Sequence, residues 1–118
     1  MPYDTNPAAD RHLLDGMARG DAEALRALYQ RHGTTVYALA YAILVDPAEA
    51  EEVVAETFAY VWRAAARFLE TAHQSVAPWL SEIARSRARG LVLARQWPAR
   101  SSLRSRQGAF STMIQEVG

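Results

Sequence analysis

The chain has 118 residues, half of them hydrophobic, with thirteen basic and thirteen acidic side chains and no cysteine. That length suits one domain with one core, and the lack of cysteine excludes disulfide scaffolds and cysteine-ligated zinc. No apolar run approaches the ~20 residues of a membrane span, and the polar residues 1–10 hold no signal-peptide core, so a soluble, cytoplasmic protein without membrane contact is expected.

Residues 1–9, with Pro2, Asn6 and Pro7, read as a flexible lead. A short helix is predicted over residues 10–19, with Leu13, Leu14 and Met17 apolar and Gly20 as its stop. Asp21 then caps a second helix, because its carboxylate accepts from free N–H groups of the first turn. Leu25, Leu28, Tyr29, His32, Val36, Leu39, Ala40, Ile43 and Leu44 follow at steps of one, three and four and mark one stripe toward a core. Gly33 and two threonines make a soft point inside one long helix.

Asp46-Pro47 is a second cap, since proline at the first helical position gives up an N–H that would be unpaired anyway. The helix from Pro47 to about Leu69 has a core stripe of Ala50, Val53, Val54, Phe58, Val61, Trp62, Ala65 and Phe68. Its opposite face carries Glu49, Glu52, Glu56, Tyr60, Arg63 and Arg67. Acids come early and bases late, as the helix dipole favours. Residues 70–76 read as a loop. A fourth helix is predicted from about Ala77 to Gln96, with Leu80, Ala84, Ala88 and Leu91 inward and Gly90 weakening its second half by about 1 kcal/mol. Pro98 ends it. The fold class is therefore all-α, a small bundle of about four helices over residues 10–98, followed by an Arg/Ser-rich linker or tail over residues 99–118.

The balanced charge hides an asymmetry. Residues 1–84 hold six of the arginines against twelve acids, whereas residues 85–118 hold seven against Glu116 alone. A negative body and a positive end imply two partner surfaces, the basic one suited to nucleic acid. His12, His32 and His73 lack metal-ligand spacing and are expected to be ordinary surface or boundary residues. No phosphate loop, nucleophile elbow or His-Glu-x-x-His is present, and the Glu51-Glu52-Glu56 cluster has no histidine or metal partner, so neither an enzyme nor a cofactor is expected.

Three stretches carry a family resemblance. Residues 14–32 hold a Gly20-Asp21 stop and cap before a helix bearing Tyr29. Residues 46–58 read Asp-Pro-Ala-Glu-Ala-Glu-Glu-Val-Val-Ala-Glu-Thr-Phe and continue to Val61-Trp62-Arg63. Residues 79–88 run from Trp79 through Leu80, Ile83 and Ala84 to Ala88. In this order and spacing, over roughly residues 12–95, the chain resembles region two of extracytoplasmic-function (ECF) sigma factors.

The resemblance implies a transcription initiation protein of a few packed helices. It implies core RNA polymerase as partner, with the third helix docking on the clamp helices of the beta-prime subunit through Glu49, Glu52, Glu56, Tyr60 and Arg63. It implies promoter DNA at the −10 element as the second partner, contacted by Gln74, Ser75, Arg85, Ser86 and Arg89, and an anti-sigma factor as a further one. Independently, an acidic row suits a basic partner helix, and arginines and polar loop side chains suit phosphate and an extruded base. Trp79 reads as a core residue rather than a stacking platform.

The chain departs from the family pattern at the DNA-reading element. Ser86 stands where asparagine is usual, Arg89 and Gly90 where an apolar residue and Asp are usual, and Gln74-Ser75 where the loop has Gly-Ser. Nothing after Arg106 is suited to the helix-turn-helix that reads the −35 element. A piece of a longer sigma factor, a one-domain factor, and a sigma-like decoy that binds an anti-sigma protein or polymerase without promoter reading all fit these departures. An unrelated helical protein binding DNA through its Arg-rich end would instead show salt-dependent duplex binding without polymerase.

Overall fold

The computed structural model describes residues 6–71 and 75–96. They form four helices, α1 (Pro7–Ala18), α2 (Ala22–Leu44), α3 (Pro47–Thr71) and α4 (Val76–Gln96), with no strand among the described residues. The chain divides into two compact units, Met1–Ala88 and Arg89–Gly118. The first holds the packed core. Of the second, residues 89–96 are described and are helical.

The local code accounts for the helix ends. At α1 the Asn6 side chain accepts from the Ala8 N–H at 3.0 Å, and Pro7 occupies the first turn. The helix therefore starts three residues before the expected Asp10, and residues 7–9 are helical rather than a lead. It ends where Gly20 takes φ +89°, with the Asp21 N–H bonded to the Gly16 carbonyl and the Gly20 N–H to that of Met17, both at 2.9 Å. This pair of bonds satisfies carbonyls that a helix end would otherwise leave open. Asp21 at once caps α2, its carboxylate accepting from the Glu23 N–H at 3.0 Å. One residue thus closes one helix and opens the next, which makes the corner sharp. Asp46 caps α3 by accepting from the Glu49 N–H at 3.0 Å.

Gly33 does not break α2. A Cβ there would lie 2.9 Å from the Tyr29 ring, so the glycine admits that ring against the helix. Tyr29 in turn meets Phe58 of α3 edge-on at 5.4 Å.

The predicted stripes meet in one core. Leu14 and Met17 of α1, Leu28, Val36, Ala40 and Leu44 of α2, and Val53, Phe58, Val61 and Ala65 of α3 are buried. Helices α1, α2 and α3 each pack on the other two. From α4, Val76, Leu80, Ala84 and Ala88 are buried, at four-residue steps. Truncating a fully buried leucine such as Leu28 to alanine costs about 2–5 kcal/mol.

His32 is buried, as its place in the α2 stripe implies and unlike the surface or boundary role expected of the histidines. It is 3% exposed and lies against the equally buried Asp10. Its Nε2 sits 2.9 and 3.0 Å from the two carboxylate oxygens, and Arg31 Nε donates to the same carboxylate at 2.6 Å. An ionised carboxylate only accepts, which places the bonding proton on Nε2. A charged cluster so arranged ties α1 to α2. His12 is exposed, and His73 lies outside the described residues.

Candidate functional site

Rising from α3, Glu49, Glu52, Glu56, Tyr60, Arg63 and Arg67 fall within an arc of about 80°, since each residue turns the helix by about 100°. The core stripe occupies the other side, so this face is turned outward. Glu49 is half-buried at the capped first turn, while Glu52, Glu56, Arg63 and Arg67 are exposed and Tyr60 is 37% exposed. The face is acidic over its first two turns and basic over its last two. All five side chains assigned from sequence to a protein partner are brought onto it.

Helix α4 borders this face through an aromatic step. Trp79 stacks on Phe68 with ring centroids 4.1 Å apart and meets Tyr60 edge-on at 6.4 Å. Phe68 is buried, and the Arg11 guanidinium of α1 lies 5.7 Å from its centroid. Trp79 is half-buried, so its expected core role holds for the side that meets Phe68.

Sequence reasoning left Arg87 out of both candidate sites. Its guanidinium carbon lies 5.5 Å from the Tyr60 ring centroid, and its Nη1 lies 3.9 Å from the Glu56 carboxylate. Its Nε is buried without a hydrogen-bond partner. The signal was present in the spacing: Arg87 follows Leu80 by seven residues and Ile83 by four, which puts a cation on the border of the apolar stripe.

The residues assigned from sequence to DNA are distributed differently. Ser75 and Arg85 are half-buried and Ser86 is exposed, and Arg85 Nη1 lies 3.8 Å from the Glu82 carboxylate one turn earlier. Arg85 and Arg87, two residues apart, point about 160° apart around the helix, so they serve different flanks of α4. Arg89 is exposed in the second unit, and Gln74 lies outside the described residues.

Concavities open on the first unit among the described residues. A groove of about 560 Å³ between α2 and α3 is lined by Tyr29, Gly33, Thr34, Tyr37, Glu51, Val54 and Ala55. A smaller one of about 220 Å³ is lined by Tyr60, Arg63, Ala64 and Arg67. Among the described residues no group of three His, Asp or Glu side chains is placed to hold a metal, and no helix is long and apolar enough to cross a membrane.

Residues 28–98 match the family model described as sigma-70 region 2. An ECF RNA polymerase sigma factor SigK of Mycolicibacterium vanbaalenii is 37% identical over 99 residues, which covers 84% of this chain and 49% of that protein. The RNA polymerase sigma factor NccH of Alcaligenes xylosoxydans xylosoxydans is 32% identical over 92 residues, 78% of this chain and 48% of its own. An ECF RNA polymerase sigma factor SigL of Mycobacterium tuberculosis is 34% identical over 73 residues, 62% of this chain and 41% of its own. No solved structure matches significantly. The chain spans about half the length of the curated relatives it matches.

Proposed function

The chain belongs to the sigma-70 region 2 family, in its ECF branch, and on that premise we propose that it acts in transcription initiation by docking on core RNA polymerase and engaging promoter DNA. The observation that carries the reading is the outward row Glu49, Glu52 and Glu56 on α3. Charges so placed complement a basic helix pair such as the beta-prime clamp helices, and they orient a partner and speed its encounter. Tyr60 and Arg63 continue this face and are, with the three acids, the proposed contacts to polymerase. Ser75, Arg85, Ser86 and Arg89, with Gln74, are the proposed contacts to the −10 element, through phosphate bonding and the hydrogen-bonding edge of an unstacked base.

Binding to purified core polymerase tests the docking row. The double reversal Glu52→Lys with Glu56→Lys is expected to weaken binding by about ten-fold or more, because like charges then face the partner. Glu51→Lys, on a different side of α3, is the control and should change binding little. Equal binding by the double variant and the unaltered chain would refute the assignment.

A second reading has one observation in its favour. Arg85 lies near Glu82 and Arg87 is turned toward Glu56, so two arginines of α4 face carboxylates of this chain. A sigma-like module that binds polymerase or an anti-sigma protein without reading a promoter would need no free arginines there. Promoter opening by polymerase with this chain separates the two: opening supports the first, and tight polymerase binding without opening supports the second.

A further inference from the structure

We propose that the groove between α2 and α3 is a binding site for a small organic cation, an alkylated ammonium with an apolar body, held between the Tyr29 and Tyr37 rings and the Glu51 carboxylate. The site stands apart from the polymerase and promoter contacts. It lies on the flank of α3 that meets α2 and uses none of the side chains assigned to either partner.

The groove has a volume of about 560 Å³, inside the span of about 300–1,000 Å³ that small-molecule sites occupy. Gly33 adds no side chain to it, and Val54 and Ala55 give it an apolar wall.

Both rings that line it are held in place. Tyr29 lies against the backbone at Gly33, where a Cβ would come within 2.9 Å of the ring, and it meets Phe58 edge-on at 5.4 Å. Tyr37 stacks on Tyr41, with centroids 6.1 Å apart and planes 14° from parallel. Tyr29 is nevertheless 50% exposed, and Tyr37 is half-buried. Rings so fixed and still partly open suit a cation, because the negative face of the π-system attracts positive charge and little side-chain freedom is lost on binding.

Charge selects the ligand. Glu51 is exposed and supplies the one carboxylate among the groove's described lining residues, which include no basic side chain. It lies about 100° around α3 from Glu52, so it serves this groove rather than the outward acidic row. An anion would meet only repulsion. A calcium-like ion would find one carboxylate where it takes about six to eight oxygen ligands. A neutral apolar molecule would leave the carboxylate and the ring faces unused. An alkylated ammonium uses the rings, the apolar wall and the carboxylate together, and the exposed Thr34 hydroxyl at the rim can bond a polar substituent.

The test is an NMR titration of the full, isotope-labelled chain with benzyltrimethylammonium chloride at constant ionic strength. Saturable shifts are expected at the Gly33, Thr34 and Ala55 amides, with a Kd in the millimolar range or below. Tyr37→Leu is expected to weaken binding by about five-fold, the loss of one cation–π partner. Tyr37→Phe keeps the ring and should bind within about two-fold of the parent. Glu51→Gln is expected to weaken binding by about two- to five-fold, and less at high salt. Glu52→Gln with Glu56→Gln removes two acids from the outward face and should change the Kd little. The substituted side chains are exposed or half-buried, and unchanged far-UV circular dichroism verifies the fold.

The assignment is overturned if no saturable shift appears in the groove, or if Tyr37→Leu or Glu51→Gln binds as the parent does. It is also overturned if benzyl alcohol, which keeps the ring and loses the cation, binds as tightly. An equal loss in Glu51→Gln and in the paired Glu52 and Glu56 variant would show general attraction to an acidic surface and sink the site. If an arginine-rich peptide displaces the probe at concentrations far below the probe's own Kd, the groove takes basic side chains of a protein partner and the small-ligand assignment falls. Polymerase docking is read by charge reversal on the other face and stands or falls by itself.

Discussion

Replacing Asp10 by alanine should be among the most damaging single changes outside the apolar core. The carboxylate is 4% exposed, as is the His32 side chain, and Arg31 is 16% exposed. It accepts at 2.6 Å from Arg31 and at 2.9 and 3.0 Å from His32. Deleting one member of a buried charged cluster costs about 3–5 kcal/mol, because the remaining polar groups stay desolvated. Arg31 lies nearest the surface and recovers some hydration, which moves the expectation to the lower end, about 3 kcal/mol. For a domain of this size that is a fall of about 12–24 °C in melting temperature. Urea unfolding followed by far-UV circular dichroism gives the number directly. Asp10→Asn, which keeps the shape and one acceptor oxygen, should lose about half as much. A double-mutant cycle of Asp10→Ala with His32→Ala should return a coupling of at least about 1 kcal/mol. A loss below about 1 kcal/mol for Asp10→Ala, or additivity in the cycle, would show that the cluster does not hold α1 on α2.

Two further substitutions test smaller features. Val45 is 68% exposed and sits at φ 52°, a left-handed backbone that crowds a β-branched side chain, so Val45→Gly should stabilise the fold by about 1 kcal/mol, measured by thermal melting; a destabilised variant would refute the strain. The Thr57 hydroxyl is fully buried with no hydrogen-bond partner, and Thr57→Val keeps the shape while removing that cost, so a gain of about 1 kcal/mol is expected in urea unfolding, and a loss would mean the hydroxyl is satisfied in solution.

Much of this molecule was readable from local chemistry. Steps of three and four along residues 22–44 and 47–69 located α2 and α3, because an amphipathic helix must put its apolar side chains on one face. The caps Asp21 and Asp46-Pro47 were equally visible, since capping is settled within a few residues. The start of α1 carried the same kind of signal: Asn6-Pro7 repeats the cap-then-proline order of Asp46-Pro47, and reading it as a lead overlooked a helix start. The Glu49, Glu52 and Glu56 row followed from periodicity alone, because a helix face is a property of one segment. Tertiary structure decided what segments do to one another. Asp10 meets His32 across 22 residues of chain, and Arg87 meets Glu56 and Tyr60 across two helices. No periodic pattern encodes such pairings, for they depend on how α1 and α4 rotate as their apolar stripes pack. That rotation brought Asp10 of α1 against His32, which the α2 stripe had already turned inward. It also set Arg87 behind the Tyr60 ring and Trp79 beside it, at the basic end of a charge row that α3 carries by itself.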